Sequence, residues 1–314
     1  MDSSFSTLTK LPTGADLDDD ASARPRTPAT ECDDPDGCFT RSRRIGAFPL
    51  EVAPEASGLT LSGIDPSVLW LVDDEPGTDH LVAIRRDGTV LARVRVEGMQ
   101  AVNIEALAAG PCDHGGAGHC LYIGDIGDNR RARTDVRVYR IIEPDLRARI
   151  PTQPVAAEVI RLRYPAEVHD AEAMVVDRHG VPFILTKAAF DATSGITRPT
   201  QLFAAPGFRS GPLVRVGSLR LPDPPTAVAT LLYGNTVTDA AMVEGKVLLR
   251  TYDQAVEFIA PQADAELATL QQWRVRQVPA PWQPQAEAVT YAVDGCGYYL
   301  VSEKSGDIWA VSCQ

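Results

Sequence analysis

Several familiar signals are missing from this 314-residue sequence. No apolar run approaches the ~20 residues that a membrane-spanning helix needs, and the start, Met1 to Phe5, lacks the basic region and apolar core of a signal peptide. The sequence has no Gly-rich phosphate loop, nucleophile elbow or Cys/His pair, which disfavours covalent catalysis through Ser or Cys. The five His residues lack the closed spacing of a zinc site.

What the sequence does have is a five-residue pattern that recurs five times. In each copy the first residue is polar, the fourth is Gly or Ala, and the fifth is aliphatic or Met. The copies begin at Glu55, Asn103, Asp170, Thr238 and Gln285. Two further apolar runs follow each copy, so each unit is typical of a β-meander. Repetition at a spacing of roughly 50 to 67 residues indicates a propeller or a solenoid, because one repeat cannot bury its apolar face alone.

The fourth strand of each unit decides how the fold closes. Segments such as Val90–Val96 alternate apolar and basic residues, which suits an exposed outer strand. The fifth unit lacks such a segment, and we expect Arg44–Leu50 to supply it and so remove an open sheet edge. The sequence therefore predicts an all-β, five-bladed β-propeller over residues 41–314, closed by an N-terminal strand. Residues 1–40 are acidic and poor in apolar residues, which predicts a disordered or loosely attached leader.

The cysteines indicate the compartment. All six fall into three local pairs, Cys32/Cys38, Cys112/Cys120 and Cys296/Cys313. Such spacings favour disulfides and an oxidising compartment, and the alternative is six reduced thiols in a cytosolic protein. Disulfides predict a secreted or periplasmic protein whose export leader is absent from this chain. Half of the net charge of −12 lies in the first 40 residues, so it argues against a nucleic-acid partner and indicates little else.

The third position of the repeated pattern predicts a metal site. It contains Ser57, Glu105, Glu172, Ala240 and Glu287. First strands run along the axis of a propeller, so these residues should converge, and three adjacent carboxylates repel one another without a cation. Ca²⁺ takes hard oxygen ligands in flexible geometry, whereas Mg²⁺ tolerates crowded protein cages poorly. We therefore expect Ca²⁺ here, with Ala240 offering its carbonyl. The alternative is pairing with Arg or Lys of neighbouring blades, although the inner column contains no cation of its own.

A second set of candidates follows the second strands. In an antiparallel meander the end of strand two lies beside the start of strand one, so these residues should line one mouth of a central funnel. We expect Asp74, Asp125 and Asp128 as catalytic carboxylates, and the candidate substrate-binding residues are Asn129, Arg130, His169, Lys187, Tyr252 and Glu303. The alternatives are that Asp125–Asn129 is an Asx-rich turn bonding its own backbone, and that His169 is structural.

The inner column resembles the soluble calcium-activated nucleotidases (apyrases), a family of five-bladed propellers with a central Ca²⁺. The family's ligands are a Ser, two Glu, a Ser and a final Glu, and the resemblance implies Ser57, Glu105, Glu172, Ala240 and Glu287 here. Leu71–Gly77 is similar to the family's second strand and acidic turn. Gly58 stands where the family has an Asp, and the family's nucleotide-gripping segments are not recognisable. Leu121–Asn129 also resembles a segment of uncharacterised bacterial secreted propeller proteins.

Together these patterns predict a secreted, calcium-centred propeller that acts on a small polar molecule at the funnel. The expected activity is metal-dependent hydrolysis of a phosphoanhydride or ester, with Ca²⁺ polarising the substrate and Asp125 or Asp74 taking the proton from a water. No nucleic-acid or membrane partner is expected. Two alternatives stay open: a non-catalytic, calcium-stabilised propeller that binds a glycan, peptide or protein, and a lactonase-like or glycosidase-like enzyme.

Overall fold

The structure is a computed structural model that describes residues 39–112, 118–188, 190–191, 196–223 and 235–313. These residues form five antiparallel sheets of four main strands each, arranged as the blades of a propeller. Two short 3-10 helices, Leu50–Val52 and Leu267–Gln272, are the helices of the described ranges. The prediction of an all-β, five-bladed β-propeller is confirmed.

The strands of the first two blades follow one another along the chain. Strand β1 is Arg43–Ala47 and precedes them. Blade one contains β2 (Ala56–Leu61), β3 (Val68–Asp73), β4 (His80–Arg85) and β5 (Val90–Arg95). Blade two contains β6 (Ala106–Pro111), β7 (His119–Asp125), β8 (Val136–Ile142) and β9 (Glu158–Arg163).

The other three blades follow the same plan. Blade three contains β10 (Ala171–Val176), β11 (Pro182–Thr186), β14 (Thr200–Ala204) and β16 (Val214–Leu219). Between β11 and β14, β12 (Phe190–Asp191) and β13 (Ile196–Thr197) form a separate two-stranded sheet, and the two-residue strand β15 (Gly211–Pro212) pairs parallel with β9 of blade two. Blade four contains β17 (Val237–Val243), β18 (Lys246–Thr251), β19 (Ala255–Ile259) and β20 (Arg274–Val278). Blade five contains β21 (Ala286–Tyr291), β22 (Tyr298–Ser302) and β23 (Asp307–Val311).

Strand β1 closes the ring, as the sequence predicts. It pairs antiparallel with β23, so that Arg43 lies opposite Ala310 and Ala47 opposite Asp307. The pairing gives blade five its fourth strand and covers an edge that would otherwise template aggregation. Thr40 extends the contact by donating its N–H to the Ser312 carbonyl at 2.8 Å. Apart from Phe39 and Thr40, the predicted leader lies outside the described residues.

The buried core lies between the blades rather than within one centre. Five clusters of buried apolar side chains each join two neighbouring blades. The second strands are buried on both faces, which explains their continuous apolar runs; β3, for example, is buried from Val68 to Asp73. The largest fully buried side chain, Trp70, donates its indole N–H to Glu143 of blade two at 2.8 Å.

Two of the three predicted disulfides are present. Cys112 bonds to Cys120 in blade two, and Cys296 bonds to Cys313 in blade five. The predicted Cys32/Cys38 pair lies outside the described residues. Disulfides of this kind fit an extracellular protein. In the described part of the chain, no helix has the length and apolar character to cross a membrane.

Candidate functional site

In four of the five blades, a β-bulge at the start of the inner strand brings one polar side chain to the axis. The pairing register of inner and second strands shifts at Ser57, Glu172, Thr238 and Glu287. Glu105 takes the same place in blade two, where its N–H donates to the Gly124 carbonyl at 2.9 Å just before β6. We call Ser57, Glu105, Glu172, Thr238 and Glu287 the inner ring. All five side chains are buried, and bulges commonly re-aim side chains beside functional sites.

In blade four, the inner-ring residue lies two positions earlier in the sequence than predicted. Ala240 pairs with Leu249 in the regular ladder beyond the bulge, so it is not the equivalent of the glutamates. Thr238 donates its hydroxyl to the Ala286 carbonyl of the next blade at 2.7 Å, as Ser57 donates to the Ile104 carbonyl at 2.8 Å. The inner-ring residue of blade four is therefore Thr238 rather than Ala240.

Asp239, which the sequence analysis missed, joins blades near the inner ring. Its carboxylate is fully buried and accepts the N–H of Val289 in blade five at 2.9 Å and its neighbour Ala240's N–H at 2.8 Å. Burial raises the pKa of this carboxyl well above its usual value, against the lowering effect of these N–H groups and of Leu59. An acidic residue in the second position of the repeated pattern, which is otherwise Ala or Ile, was the available signal.

A second ring lies above the first, at the ends of the second strands. In four blades, a residue that follows the second strand donates its N–H to the carbonyl of the residue two positions before the inner-ring residue in the sequence, at 2.9 to 3.1 Å. These donors are Asp74, Gly127, Lys187 and Glu303. Tyr252 follows β18 at the matching place, since Thr251 pairs with Val237. We call Asp74, Gly127, Lys187, Tyr252 and Glu303 the mouth ring. The predicted adjacency of second-strand ends and first-strand starts is confirmed.

Gly127 explains why blade two leaves an opening in the mouth ring. A Cβ added to Gly127 would lie 2.2 Å from Oδ1 of Asn103 and 2.7 Å from Cγ of Glu105. Only a residue without a side chain therefore leaves room for both Asn103 and Glu105.

Lys187 supplies a counter-charge to the inner ring. Its Nζ forms an ion pair with Oε1 of Glu172. Burial raises the pKa values of Glu105, Glu287 and Asp74, and the Lys187 charge offsets part of that rise. The inner column contains no cation of its own, as the sequence analysis noted, and the counter-charge comes from the mouth ring. Glu172 therefore pairs with a lysine of its own blade, whereas the alternative in the sequence analysis was a cation from a neighbouring blade.

Four carboxyl groups of the two rings, Asp74, Glu105, Glu287 and Glu303, have raised pKa values. Burial and then the Asp74 charge raise the pKa of Glu105 well above its usual value. Burial raises the pKa of Glu287 to about 7, and burial followed by the Glu55 and Asp73 charges raises the pKa of Asp74 to about 6. Carboxyl groups with raised pKa values are concentrated at functional sites.

Glu303 and Tyr252 complete this network. Burial and a hydrogen bond with Glu55 raise the pKa of Glu303 to about 8. Glu303 accepts a hydrogen bond from Nε2 of Gln285 at 2.8 Å and forms an ion pair with Lys304. The Tyr252 hydroxyl and Glu303 both hydrogen-bond with Glu287. Two of the predicted substrate-binding residues therefore lie directly against the inner ring.

The inner ring fits a hard cation in its chemistry. It offers three carboxylates and two hydroxyls, which are oxygen donors of the kind that Ca²⁺ prefers. Oε2 of Glu172 is buried and has no hydrogen-bond partner in the described structure. With Lys187 against Glu172, however, no group of three or more His, Cys, Asp or Glu side chains in the described ranges is close enough to hold a metal ion. Calcium binding therefore stays a prediction.

The Asp125–Asn129 segment behaves as a self-bonded turn. Asp125 is fully buried, and its Oδ1 accepts the Asn103 N–H at 3.0 Å and Nη1 of Arg133 at 2.8 Å. Asp128 accepts the N–H groups of Ala132 and Arg133 at 2.9 and 2.8 Å. These contacts favour the Asx-turn alternative and do not support either aspartate as a general base, since both carboxylates already bind the protein's own donors.

The remaining predicted residues separate into two groups. Asn129 contacts Asn103 at 3.4 Å and Arg130 is exposed. His169 and Lys187 line one cavity of about 340 Å³, beside the mouth ring, and Arg130 is not part of its lining. The neighbouring Arg131 lines the cavity instead, a difference that depends on the turn and that residue spacing alone could not reveal.

Comparison with known proteins gives little beyond the fold. No family model and no curated protein matches the sequence. Similar solved structures include a gluconolactonase of Xanthomonas campestris, with 13% identity, a TM-score of 0.47 and coverage of 93% of this chain and 99% of that chain. A glutaminyl cyclase of Myxococcus xanthus has 12% identity, a TM-score of 0.46 and coverage of 86% and 95%. Likeness this weak says nothing about activity, and the nucleotidase resemblance remains unconfirmed.

Proposed function

We propose that this protein is an extracytoplasmic hydrolase that cleaves a phosphoanhydride or ester bond of a small polar substrate at the mouth ring. The observation that carries the proposal is the half-buried Asp74 carboxylate, whose pKa is raised to about 6, beside a ring of buried oxygen donors. The two disulfides support an oxidising compartment, secreted or periplasmic.

Asp74 acts as the general base. A base works best when its pKa lies near the pH of the reaction, because it is then both ionised and basic enough to accept a proton. Asp74 meets this condition, whereas Asp125 is buried in an ion pair with Arg133. Nδ2 of Asn103 lies 3.4 Å from Oδ2 of Asp74 and also contacts Glu105 at 2.7 Å, which holds the two carboxylates in fixed relation.

Ser57, Glu105, Glu172, Thr238 and Glu287 would hold the Ca²⁺ ion. When bound, the ion would supply electrostatic polarisation of the scissile group. For Glu172 to contribute, Lys187 must release it, and the flexible four-carbon stem of a lysine allows that movement. The basic cavity offers Lys187 an alternative location.

A hydrolysis screen tests the proposal. Nucleoside diphosphates, inorganic pyrophosphate, aryl phosphates, aryl esters and lactones would be incubated with the protein in Ca²⁺ or in EGTA. We expect Ca²⁺-dependent turnover of one class, a loss of about 10²-fold or more in Asp74→Asn, and unchanged turnover in the exposed control Glu97→Gln. Turnover that survives in Asp74→Asn would eliminate Asp74 as the base. Turnover of lactones alone would favour a lactonase-like enzyme.

One observation favours a non-catalytic alternative. The Lys187–Glu172 ion pair neutralises part of the ring without any metal. A propeller stabilised in this way could bind a glycan, peptide or protein at its rim. Metal analysis by plasma mass spectrometry separates the two proposals: about one Ca²⁺ per chain supports the hydrolase, whereas no bound metal together with no turnover supports the binding protein.

A further inference from the structure

The cavity beside the mouth ring is strongly basic. Its walls include Arg131, Lys187, Arg198 and Arg215, and the acidic side chain among its lining residues is Glu167. The whole chain, in contrast, has a net charge of −12. A concave site lined by one sign of charge focuses the potential and raises the local concentration of ions of opposite charge.

We infer that this basic cavity binds a phosphate or diphosphate group of the substrate. The inference rests on the proposed function of the adjacent mouth ring. Within the described residues, Arg131, Arg198 and Arg215 form no ion pair, although other arginines such as Arg133 do. Guanidinium groups without a protein carboxylate partner are suited to bidentate contacts with phosphate oxygens.

The backbone at Arg131 supports a binding role. Arg131 has a φ of +49°, a left-handed conformation that residues with a side chain rarely adopt. Asp128 holds this conformation, because its carbonyl accepts the Arg131 N–H at 2.7 Å and its carboxylate accepts the next two N–H groups. Left-handed non-Gly residues are concentrated at ligand sites. Asp128 is thus a positioning residue that presents Arg131 to the cavity.

His169 adds a neutral donor to the same wall. Its ring packs against Phe203 with centroids 5.1 Å apart and against Tyr164 at 4.9 Å. Burial lowers the pKa of His169, and the Arg131 and Arg215 charges lower it further against the opposing effect of Glu167. The imidazole can therefore donate a hydrogen bond to an anion without adding charge.

Lys187 connects the cavity to the proposed reaction site. It lines the cavity and also contacts Glu172 of the inner ring. An anionic group seated in the cavity would therefore place the adjoining bond of the same molecule at the mouth ring, near Asp74. This arrangement favours a phosphate-containing substrate over a neutral ester or lactone.

Calorimetric titration with methylenediphosphonate, which cannot be hydrolysed at its bridging carbon, tests the inference without requiring turnover. Without added calcium, we expect binding by the wild type that weakens with salt. The double variant Arg131→Gln/Arg215→Gln should bind at least about tenfold more weakly. Arg41→Gln, which changes an exposed arginine outside the cavity, should bind as the wild type does. Melting curves establish that each variant is folded, and Arg198→Gln serves if the double variant is not.

The outcomes separate this inference from the proposed function. Absence of binding, or equal binding by the double variant and Arg41→Gln, would overturn the inference. Binding that depends on the arginines, without turnover of any substrate, would support the cavity and reject the hydrolase. Turnover of a neutral ester that needs Asp74 but is unaffected in the arginine variants would support the hydrolase and overturn the phosphate cavity.

Discussion

The two ends of the central channel are built from the same five inner strands and yet differ in chemistry. At the mouth, the inner ring is polar and buried. At the other end, a cavity of about 300 Å³, which we call the far-end cavity, is lined by residues such as Leu59, Leu107, Val175 and Ala240. Among the described residues around the far-end cavity there is no Asp, Glu, Lys, Arg or His.

The difference comes from the bulges. Beyond the bulge, each inner strand is regular, and its side chains alternate between two apolar surroundings. At the bulge, an extra residue interrupts this alternation and turns a polar side chain toward the axis. The inner ring therefore comes from the start of each inner strand, and the rest of the strand contributes to the core.

The largest effect is expected when the mouth loses its base. Asp74→Asn should lower kcat/KM by about 10²-fold or more, and Ala241→Ser at the far-end cavity should leave it unchanged. In the wild type, kcat/KM should rise with pH through about 6, since Asp74 must be ionised and its pKa is raised to about 6. A pH–rate profile measured for all three proteins checks this. An inflection that persists in Asp74→Asn would assign it to another group.

Asp239, which lies between Thr238 of the inner ring and Ala240 of the far-end cavity, should matter most for stability. Asp239→Ala leaves the buried N–H groups of Val289 and Ala240 without an acceptor, at about 1 to 3 kcal/mol for each unsatisfied group. We expect the free energy of unfolding in urea to fall by about 2 to 4 kcal/mol. The control Asp87→Ala removes a carboxylate from an exposed turn and should show no measurable change. Equal values for the two variants would show that Asp239 does not join the blades.

Lys187→Met should alter two affinities in opposite directions. Removing the ammonium group takes one cation from the basic cavity and releases Glu172. Methylenediphosphonate should bind about tenfold more weakly and Ca²⁺ about tenfold more tightly, since each change amounts to one charge-assisted contact. Titration calorimetry with each ligand measures both. Changes in the same direction would mean that Lys187 does not both attract anions to the basic cavity and compete with Ca²⁺ at the inner ring.

The smallest effect concerns pH and stability. Asp74, Glu287 and Glu303 have pKa values raised to about 6, 7 and 8, so the folded chain holds their protons more tightly than the unfolded chain. The stability they contribute is present at pH values below about 4 and is lost as the pH rises toward about 8. Without calcium, we expect the melting temperature to fall by about 3 °C or more across this window. Saturating Ca²⁺ should reduce the fall, and an equal fall with and without Ca²⁺ would argue against an ion at the inner ring.

The fold was predictable because the repeat shows the blade plan directly. Four inner-ring residues, Ser57, Glu105, Glu172 and Glu287, were also identified from the pattern. Thr238 was not, because Thr238-Asp239-Ala240-Ala241-Met242 also fits the repeated pattern with Ala240 in its third position. The bulge in the structure lies at Thr238 instead. A bulge inserts a residue without a sequence signal of its own, so the backbone pairing had to reveal it.

The interactions between side chains were less predictable than the positions of the strands. Asp125 and Lys187 both follow second strands, and the sequence analysis placed both at the funnel. Their partners differ: Arg133 lies eight residues beyond Asp125 and neutralises it, whereas Lys187 reaches into the inner ring. The reach of a long side chain depends on the turn that carries it, and spacing in the sequence does not contain that information.

The closure of the ring also determines how the fold responds to mechanical force. Because β1 and β23 are antiparallel, Arg43 at the start of β1 lies beside Ala310 near the end of β23. Tension applied through the segments that flank these two strands would load the hydrogen bonds one after another from that end, beginning with Thr40 and Ser312. The disulfide between Cys296 and Cys313 retains β23 on its blade, so β1 detaches first and the propeller unzips at a single seam.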